Sequence, residues 1–217
     1  MPELVLPLVI RIERDRPPTR TDALEAAARG VLLMLTTEEA AWAADVALWD
    51  GQRMRKVVRR ARGTQWQRAA QLPGLTVRHG SAELRVYPPI PTDDWPDALA
   101  RLQVGGTELD DPDAPPAPAA QVPLVLLSPV AQMTAGKSMA QAGHAAQLGW
   151  WASSAADRAR WREQGFPLAV RVASLEQWSD ALRHGLPVVH DGGFTEVEPN
   201  TRTATVVLPW LDQRSDS

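Results

Sequence analysis

Residues 123–148 read PLVLLSPVAQMTAGKSMAQAGHAAQL, an apolar run followed by a segment rich in alanine and glycine. The apolar run predicts a buried β-strand, and the small residues that follow predict a helix beginning near Thr134. This helix carries three polar side chains at positions i, i+4 and i+7, which lie on a single face: Lys137, Gln141 and His144. A helix that packs through small residues does not need this polar stripe, so the stripe is a candidate functional site.

The same order of signals occurs earlier in the chain. PLVIRIER at 7–14 corresponds to PLVLLSPV at 123–130, and the alanine-rich segment 23–32 corresponds to 139–148. The two pairs are separated by the same number of residues. Tryptophan, glycine and histidine residues then follow in matching order, and an apolar segment closes each half. We interpret this pattern as an internal duplication of one strand–helix–strand–helix–strand unit, about 100 residues long.

A proline- and alanine-rich stretch, DDPDAPPAPAAQV at 110–122, separates the two halves. It lacks apolar periodicity and is typical of an extended, semi-rigid linker. The predicted organisation is a first unit at 1–110, a linker at 111–122 and a second unit at 123–212. We expect an α/β protein whose two tandem units pack as a pseudo-dimer, and a monomer with an internal pseudo-two-fold axis rather than a homodimer.

The composition restricts the possible chemistry. The 217 residues include no cysteine, which excludes thiolate nucleophiles and cysteine-bound metals, and the four histidines show no metal-ligand spacing. We expect neither metal nor cofactor. No apolar run approaches the roughly 20 residues of a membrane span, and the N-terminus lacks the pattern of a secretory signal, so a cytoplasmic location is expected. The net charge of −3 argues against nucleic-acid binding through overall basicity but permits a local basic patch.

A second polar cluster follows in the sequence HDGGFTEVEPNTRT at 190–203. Asp191 stands at the entrance of a turn that the next two glycines permit. The threonines of this segment offer hydroxyls that can orient a water molecule or a substrate oxygen: Thr195, Thr201 and Thr203. Lysine, aspartate and threonine are sufficient for hydrolysis without a metal.

These two clusters resemble the signature motifs of the type II peptidyl-tRNA hydrolases. The run M-x-x-G-K-x-x-A-Q-x-x-H-A spans 133–145, and DGGFTEVEPNTRT at 191–203 is similar to the second motif of the family. The resemblance extends from Pro123 to about Trp210. It implies a mixed four-stranded sheet with flanking helices, which the duplication extends to two three-layer-like repeats. It also implies cleavage of the ester that joins a peptide to the 3′ ribose of tRNA; the family often works as homodimers.

The resemblance implies a catalytic group and two residues behind it. The group comprises Lys137, Asp191, Thr195 and Thr203, with Gln141 and His144 as the supporting pair. Ester hydrolysis mainly needs a positioned water and a donor for the developing oxyanion. Lys137 is expected to neutralise charge on the carbonyl oxygen or on a tRNA phosphate. Asp191 is expected either to hold the water or to deprotonate it, and the residues alone leave both roles open.

The sequence departs from the family pattern at Val130, Phe194 and Glu196. The latter two changes remove an arginine and add a carboxylate, which makes the cleft less attractive to phosphate. Two alternatives therefore stand beside peptidyl-tRNA hydrolysis. One is a non-catalytic relative that binds RNA or protein, and the other is a hydrolase of another acyl ester.

The first half lacks the catalytic residue types. Its corresponding positions carry Thr21, Ala28, Gly80 and Leu84, which predicts a degenerate scaffold repeat. Its unusual feature is RMRKVVRRARG at 53–63, where the alternation predicts a strand. Six residues there are candidate phosphate contacts for tRNA: Arg53, Arg55, Lys56, Arg59, Arg60 and Arg62. A solvated edge strand that its charges protect from aggregation is the alternative.

Overall fold

The computed structural model describes residues 2–193 and 196–212, with two sheets and their flanking helices. The first sheet has the order β2-β1-β4-β3 with β5 beside β1, and its strands are β1 (Leu4–Arg11), β2 (Lys56–Ala61), β3 (Leu75–His79), β4 (Ala82–Val86) and β5 (Ile90–Pro91). The second has the order β7-β6-β9-β8, with strands β6 (Leu124–Leu127), β7 (Ala169–Val172), β8 (Val188–His190) and β9 (Arg202–Val207). The predicted α/β fold is confirmed.

The helices alternate with these strands in the same way in each half. Those of the first half are α1 (Arg20–Leu35), α2 (Ala43–Asp50), α3 (Gly63–Ala70) and α4 (Asp97–Ala100). Those of the second are α5 (Ala135–Ala152), α6 (Ala155–Glu163), α7 (Leu175–Arg183) and α8 (Pro209–Asp212). No helix in the described part of the chain is both long and apolar enough to cross a membrane.

The two sheets share one connectivity. β1 is parallel to β2 and antiparallel to β4, just as β6 is parallel to β7 and antiparallel to β9. Strands β3 and β4 pair antiparallel in the first sheet, as β8 and β9 do in the second. Both sheets are therefore mixed. The first has one strand more than expected, because Ile90–Pro91 pairs with the start of β1.

Alternate side chains of the central strands supply two different cores. Leu8 and Ile10 of β1 belong to a large central cluster, whereas Val9 faces a smaller outer cluster that includes Trp66 of α3. The second sheet repeats this arrangement, with Val125 and Leu127 in the central cluster and Leu126 in an outer one. Because a strand presents successive side chains to opposite faces, each sheet is covered on both sides. The central cluster contains residues of both halves, so the halves share one core.

Helices α1 and α5 pack against each other between the sheets, which explains their small residues. A Cβ atom at Gly143 of α5 would lie 2.7 Å from Cγ2 of Val31 in α1, closer than real Cβ contacts allow. Glycine at this position lets the helices approach closely. The alanine-rich composition of both helices therefore reflects the packing of one half on the other.

We expect Gly143→Ala to destabilise the protein, although alanine favours a helix by about 1 kcal/mol over glycine. Val31 is fully buried and cannot move without disturbing its neighbours. Overpacking of this kind typically costs about 1–3 kcal/mol. Urea unfolding measures the change, with Gly51→Ala as the control because its nearest contact would be an ordinary 3.5 Å. Equal stability of the two variants would contradict the close packing of α1 on α5.

The segment between α4 and β6 runs over the first turns of both central helices. The carbonyl oxygen of Thr107 accepts a hydrogen bond from the backbone N of Gly136 at 3.4 Å. Further along, the Asp111 carboxylate accepts hydrogen bonds from the backbone N and the hydroxyl of Thr21, both at 2.8 Å. This segment therefore fixes the starts of α1 and α5 relative to each other.

Candidate active site

A lysine–aspartate pair lies where α5 begins and β8 ends. Thr134 caps α5 by accepting a hydrogen bond from the backbone N of Lys137, which places Lys137 in the first turn. Its Nζ lies 2.5 Å from Oδ2 of Asp191, the residue that follows β8. The side chains are 12% and 8% exposed, so this ion pair is mostly shielded from solvent but reaches the surface.

Gln141 binds the same carboxylate oxygen, one helical turn after Lys137. Its Nε2 donates to Oδ2 of Asp191 at 2.8 Å, and its Oε1 accepts from the hydroxyl of Thr203 at 2.6 Å. Thr203 is fully buried in β9. Because the two ends of the amide have different partners, the orientation of Gln141 is fixed, and a donor faces Asp191.

The backbone around Asp191 holds its carboxylate in place. Oδ1 accepts a hydrogen bond from the backbone N of Gly193 at 2.9 Å, and the backbone of Asp191 bonds Thr201 and Asn200 across the loop. Gly193 has φ of +75°, and a Cβ there would lie 2.5 Å from the ring of Pro199. Glycine is therefore required for this turn on both conformational and steric grounds.

Glu196 anchors the same loop to α5. Its carboxylate accepts hydrogen bonds from the backbone N and the hydroxyl of Thr134, each at 2.8 Å. A carboxylate is favoured at a helix N-terminus, where backbone N–H groups lack partners within the helix. The departure from the family pattern at this position thus has a structural role: it ties the loop that carries Asp191 to the helix that carries Lys137.

The structure changes the expected order of two site residues. Gln141 was expected behind the catalytic group, but it contacts Asp191 directly. Thr203 was expected within that group, but it lies behind Gln141 and is fully buried. Thr195, the fourth member of the predicted group, lies outside the described residues.

His144 is the third member of the polar stripe, but it contacts a side chain of the first half. Its Nδ1 lies 3.1 Å from Nζ of Lys56, which also donates to Oε1 of Gln147 at 2.6 Å. Lys56 is buried above the ring of Trp49, and Gln147 in turn binds Asp50. His144 therefore stabilises the contact between the two halves. The sequence predicted instead that it would lie behind Asp191.

Burial lowers the pKa of His144 well below 6.5, and the positive charges of Lys56 and Lys137 lower it further. Below pH 6.5, His144 therefore binds a proton in the unfolded chain but not in the folded protein. The free energy of unfolding thus falls as the pH falls. We expect the native protein to lose more stability than His144→Asn, by on the order of 1 kcal/mol, between about pH 7 and pH 5.5. Urea unfolding at both pH values measures this. Equal losses in the two proteins would show that His144 does not lie beside Lys56 in the folded protein.

The basic segment forms the predicted strand, which lies at the edge of the first sheet, but Lys56 is not on its surface. Lys56 is buried, and burial lowers its pKa well below 10.5, so its assignment as a phosphate contact is wrong. The reason is strand alternation, which places Lys56 on the same side of β2 as Val58, facing α5. The guanidinium of Arg59 binds the carbonyl oxygens of Ala100 and Leu102 and stacks on Trp95.

The first half places different groups at the corresponding positions. Glu25 of α1, which aligns with Gln141, accepts hydrogen bonds from His79 at 2.6 Å and from Arg171 of β7 at 2.7 Å. Thr21, at the position of Lys137, binds Asp111 instead of a carboxylate at the end of β3. The Glu25–Arg171 contact links α1 to the second sheet, just as His144 and Lys56 link α5 to the first.

In the described residues, no group of three or more histidine, aspartate or glutamate side chains is placed to hold a metal ion. The centre described above consists of an ammonium, a carboxylate, an amide and a hydroxyl. The family model for peptidyl-tRNA hydrolase PTH2 matches residues 123–217, the half of the chain that contributes all four groups. The second half of this protein is therefore similar to the PTH2 peptidyl-tRNA hydrolases.

Proposed function

We propose that the second half hydrolyses the ester bond of peptidyl-tRNA, or of an N-blocked aminoacyl-tRNA, with Lys137 and Asp191 at the catalytic centre. The main observation behind this proposal is that Lys137 and Gln141 both donate to one oxygen of Asp191. Both residues lie more than 45 positions before Asp191 in the sequence. The match of residues 123–217 to the PTH2 family model supports the substrate class.

The reaction needs a water oxygen to attack the acyl carbon, the bond to the ribose 3′ oxygen to break, and the proton that the water gives up to be transferred to that oxygen. A carboxylate has about four acceptor positions, and the described donors use three positions on Asp191. The remaining position suits a water molecule, so we assign Asp191 the role of holding the attacking water. Lys137 then stabilises negative charge on the carbonyl oxygen, which is greatest in the transition state.

Gln141 and Thr203 act as positioning residues in this scheme. The Thr203 hydroxyl occupies Oε1 of Gln141, which directs the amide N–H towards Asp191. A preorganised hydrogen-bond network keeps the carboxylate in one orientation without reorganisation during the reaction. Thr195 remains a proposed member of the catalytic group, on the strength of the sequence motif alone.

We further propose that the chain works as a monomer in which the first half is a degenerate repeat and packs where a second subunit would otherwise lie. The shared connectivity of the two sheets and their common core support this arrangement. The linker at 111–122 then joins two copies of one ancestral unit. In this arrangement the second half alone cleaves the tRNA ester.

Three substrates separate the proposed function from its alternatives. The native protein should release N-acetylated amino acid from N-acetyl-aminoacyl-tRNA far faster than it cleaves a simple aryl ester such as p-nitrophenyl acetate. Comparable cleavage of both would indicate a general acyl esterase. Binding of tRNA without cleavage would indicate a non-catalytic relative. Cleavage of unblocked aminoacyl-tRNA at the same rate as N-acetyl-aminoacyl-tRNA would show that the protein does not recognise the acyl group.

A further inference from the structure

A concave pocket of about 360 Å³ lies in the first half, at the carboxyl ends of β1 and β2, which run parallel. Open α/β sheets commonly bind ligands at this end of parallel strands. Four arginines line the pocket together with one carboxylate: Arg14, Arg60, Arg62, Arg101 and Glu13. The lining is therefore strongly positive, unlike that of an ordinary surface depression.

The arginines of this pocket have few internal partners. Arg14 and Arg62 are exposed, and their guanidinium groups have no partner among residues 2–193 and 196–212. Arg60 binds the neutral side chain of Gln103, so the positive charge of Arg60 is not compensated. Arg101 has only a highly exposed contact with Asp97. The Glu13 carboxylate accepts a hydrogen bond from Arg11, so its charge is compensated outside the pocket.

The pocket lies close to the start of the helix that carries Lys137. Gln103 lines the pocket, and Thr107, four residues later, accepts a hydrogen bond from the backbone N of Gly136. Four extended residues span at most about 14 Å, so the Cα atoms of Gln103 and Thr107 are no farther apart than that. A single nucleic-acid molecule can therefore contact the pocket while its end occupies the Lys137–Asp191 centre.

The distribution of charge indicates why an RNA ligand would need this pocket. Residues 111–217 contain eight basic and 11 acidic residues, so the half that carries the proposed catalytic centre is acidic. Residues 1–110 contain 15 residues of each sign, with the basic ones concentrated at 53–62. Phosphate contacts supply much of the affinity of proteins for nucleic acids. The pocket thus offers a group of four basic side chains to such a ligand.

We propose that this arginine pocket of the degenerate half binds backbone phosphate of the tRNA whose ester the second half cleaves. This inference rests on the proposed function, because it names the same substrate. It gives the first half a part in substrate binding beyond that of a scaffold. It also redefines the basic patch: Arg60 and Arg62 remain in it, Arg14 and Arg101 enter it, and Lys56 leaves it.

The test compares two double variants that remove the same charge from the same half. Arg14→Ala/Arg62→Ala removes two pocket arginines without internal partners. Arg16→Ala/Arg68→Ala removes two exposed arginines that do not line the pocket. Fluorescence anisotropy of a labelled acceptor-stem minihelix measures binding at several salt concentrations. We expect the pocket variant to bind at least about tenfold more weakly and to lower the salt slope by about one to two, and the control to change by less than about threefold.

Equal weakening by both variants, or no binding of the minihelix by the native protein at low salt, would overturn the inference. Displacement of the minihelix by micromolar pyrophosphate would assign the pocket to a small phosphate compound and would overturn it as well. Because binding is measured without hydrolysis, failure of the proposed function is distinguishable: the native protein would then bind the minihelix through the pocket but release no acyl group. When the proposed function and the phosphate-binding role of the pocket are both correct, the pocket variant has a higher KM for the tRNA substrate and an unchanged kcat.

Discussion

Lys137→Met is expected to lower kcat for the hydrolysis of N-acetyl-aminoacyl-tRNA by about 10²- to 10³-fold, the usual consequence of removing a donor to an oxyanion. Methionine retains the length and the apolar stem of lysine but carries no positive charge. Gln141 and Gly193 still donate to Asp191 in this variant, so the carboxylate keeps two of its hydrogen bonds. Single-turnover rates at saturating enzyme measure the loss directly.

Two further variants make this result specific. The chain contains only two lysines among its 23 basic residues, and both lie in mostly buried polar networks. Lys137→Arg keeps the charge but replaces a compact ammonium by a planar guanidinium group. We therefore expect this variant not to restore the native hydrolysis rate. Arg202→Met removes a charge from the exposed start of β9, beside Thr203, and is expected to change kcat by less than about threefold. A Lys137→Met protein with a native rate would exclude Lys137 from catalysis.

Asp191→Asn is expected to lower kcat by about 10²-fold, with little change in KM. The substitution keeps the shape of the side chain but removes the charge that faces Lys137 at 2.5 Å and the acceptor position proposed for water. The amide also places an N–H group where Gln141, Lys137 or Gly193 presents another donor. Quench-flow measurement of peptide release, with the minihelix affinity measured in parallel, separates the loss of rate from any loss of binding.

The same variant should also unfold more easily, by about 1–3 kcal/mol, because it leaves the mostly buried Lys137 ammonium without its carboxylate partner. Urea unfolding checks this, and near-ultraviolet circular dichroism shows whether the variant is folded during the rate measurement. Thr203→Val provides the comparison, since it removes a hydroxyl of the same network but no charge. An Asp191→Asn protein with native stability and native rate would contradict the ion pair and its proposed role together.

The fold could be predicted from the sequence because each half repeats one order of apolar runs and small-residue helices. Strand alternation also predicted that residues 53–63 include a strand, which the structure places at Lys56–Ala61 on the edge of the first sheet. The pairing of Ile90–Pro91 with β1 could not be foreseen, because two residues show no periodicity. The packing of α1 on α5 was detectable only as an excess of alanine and glycine, which does not name the partner helix.

The site was predictable in part, because helical spacing places Lys137 and Gln141 on one face. Spacing alone could not show that Asp191 would reach that face, since the loop conformation depends on Gly193 and on Glu196 bound to Thr134. The buried position of Lys56 was missed because a run of six basic residues suggests a solvated surface. One signal was available: Lys56 is the single lysine of that run, two positions before a core valine.

Hydrolysis of N-acetyl-aminoacyl-tRNA in water enriched in ¹⁸O, under single-turnover conditions, tests directly whether the Lys137–Asp191 centre hydrolyses the ester. Attack of water on the acyl carbon predicts that the released N-acetyl amino acid carries the label in its carboxylate and that the tRNA regains an unlabelled 3′ hydroxyl. The Lys137→Met/Asp191→Asn double variant, shown to be folded, is predicted to release none on the same timescale. Absence of labelled product from the native protein, or equal release by the double variant, would contradict hydrolysis at the Lys137–Asp191 centre.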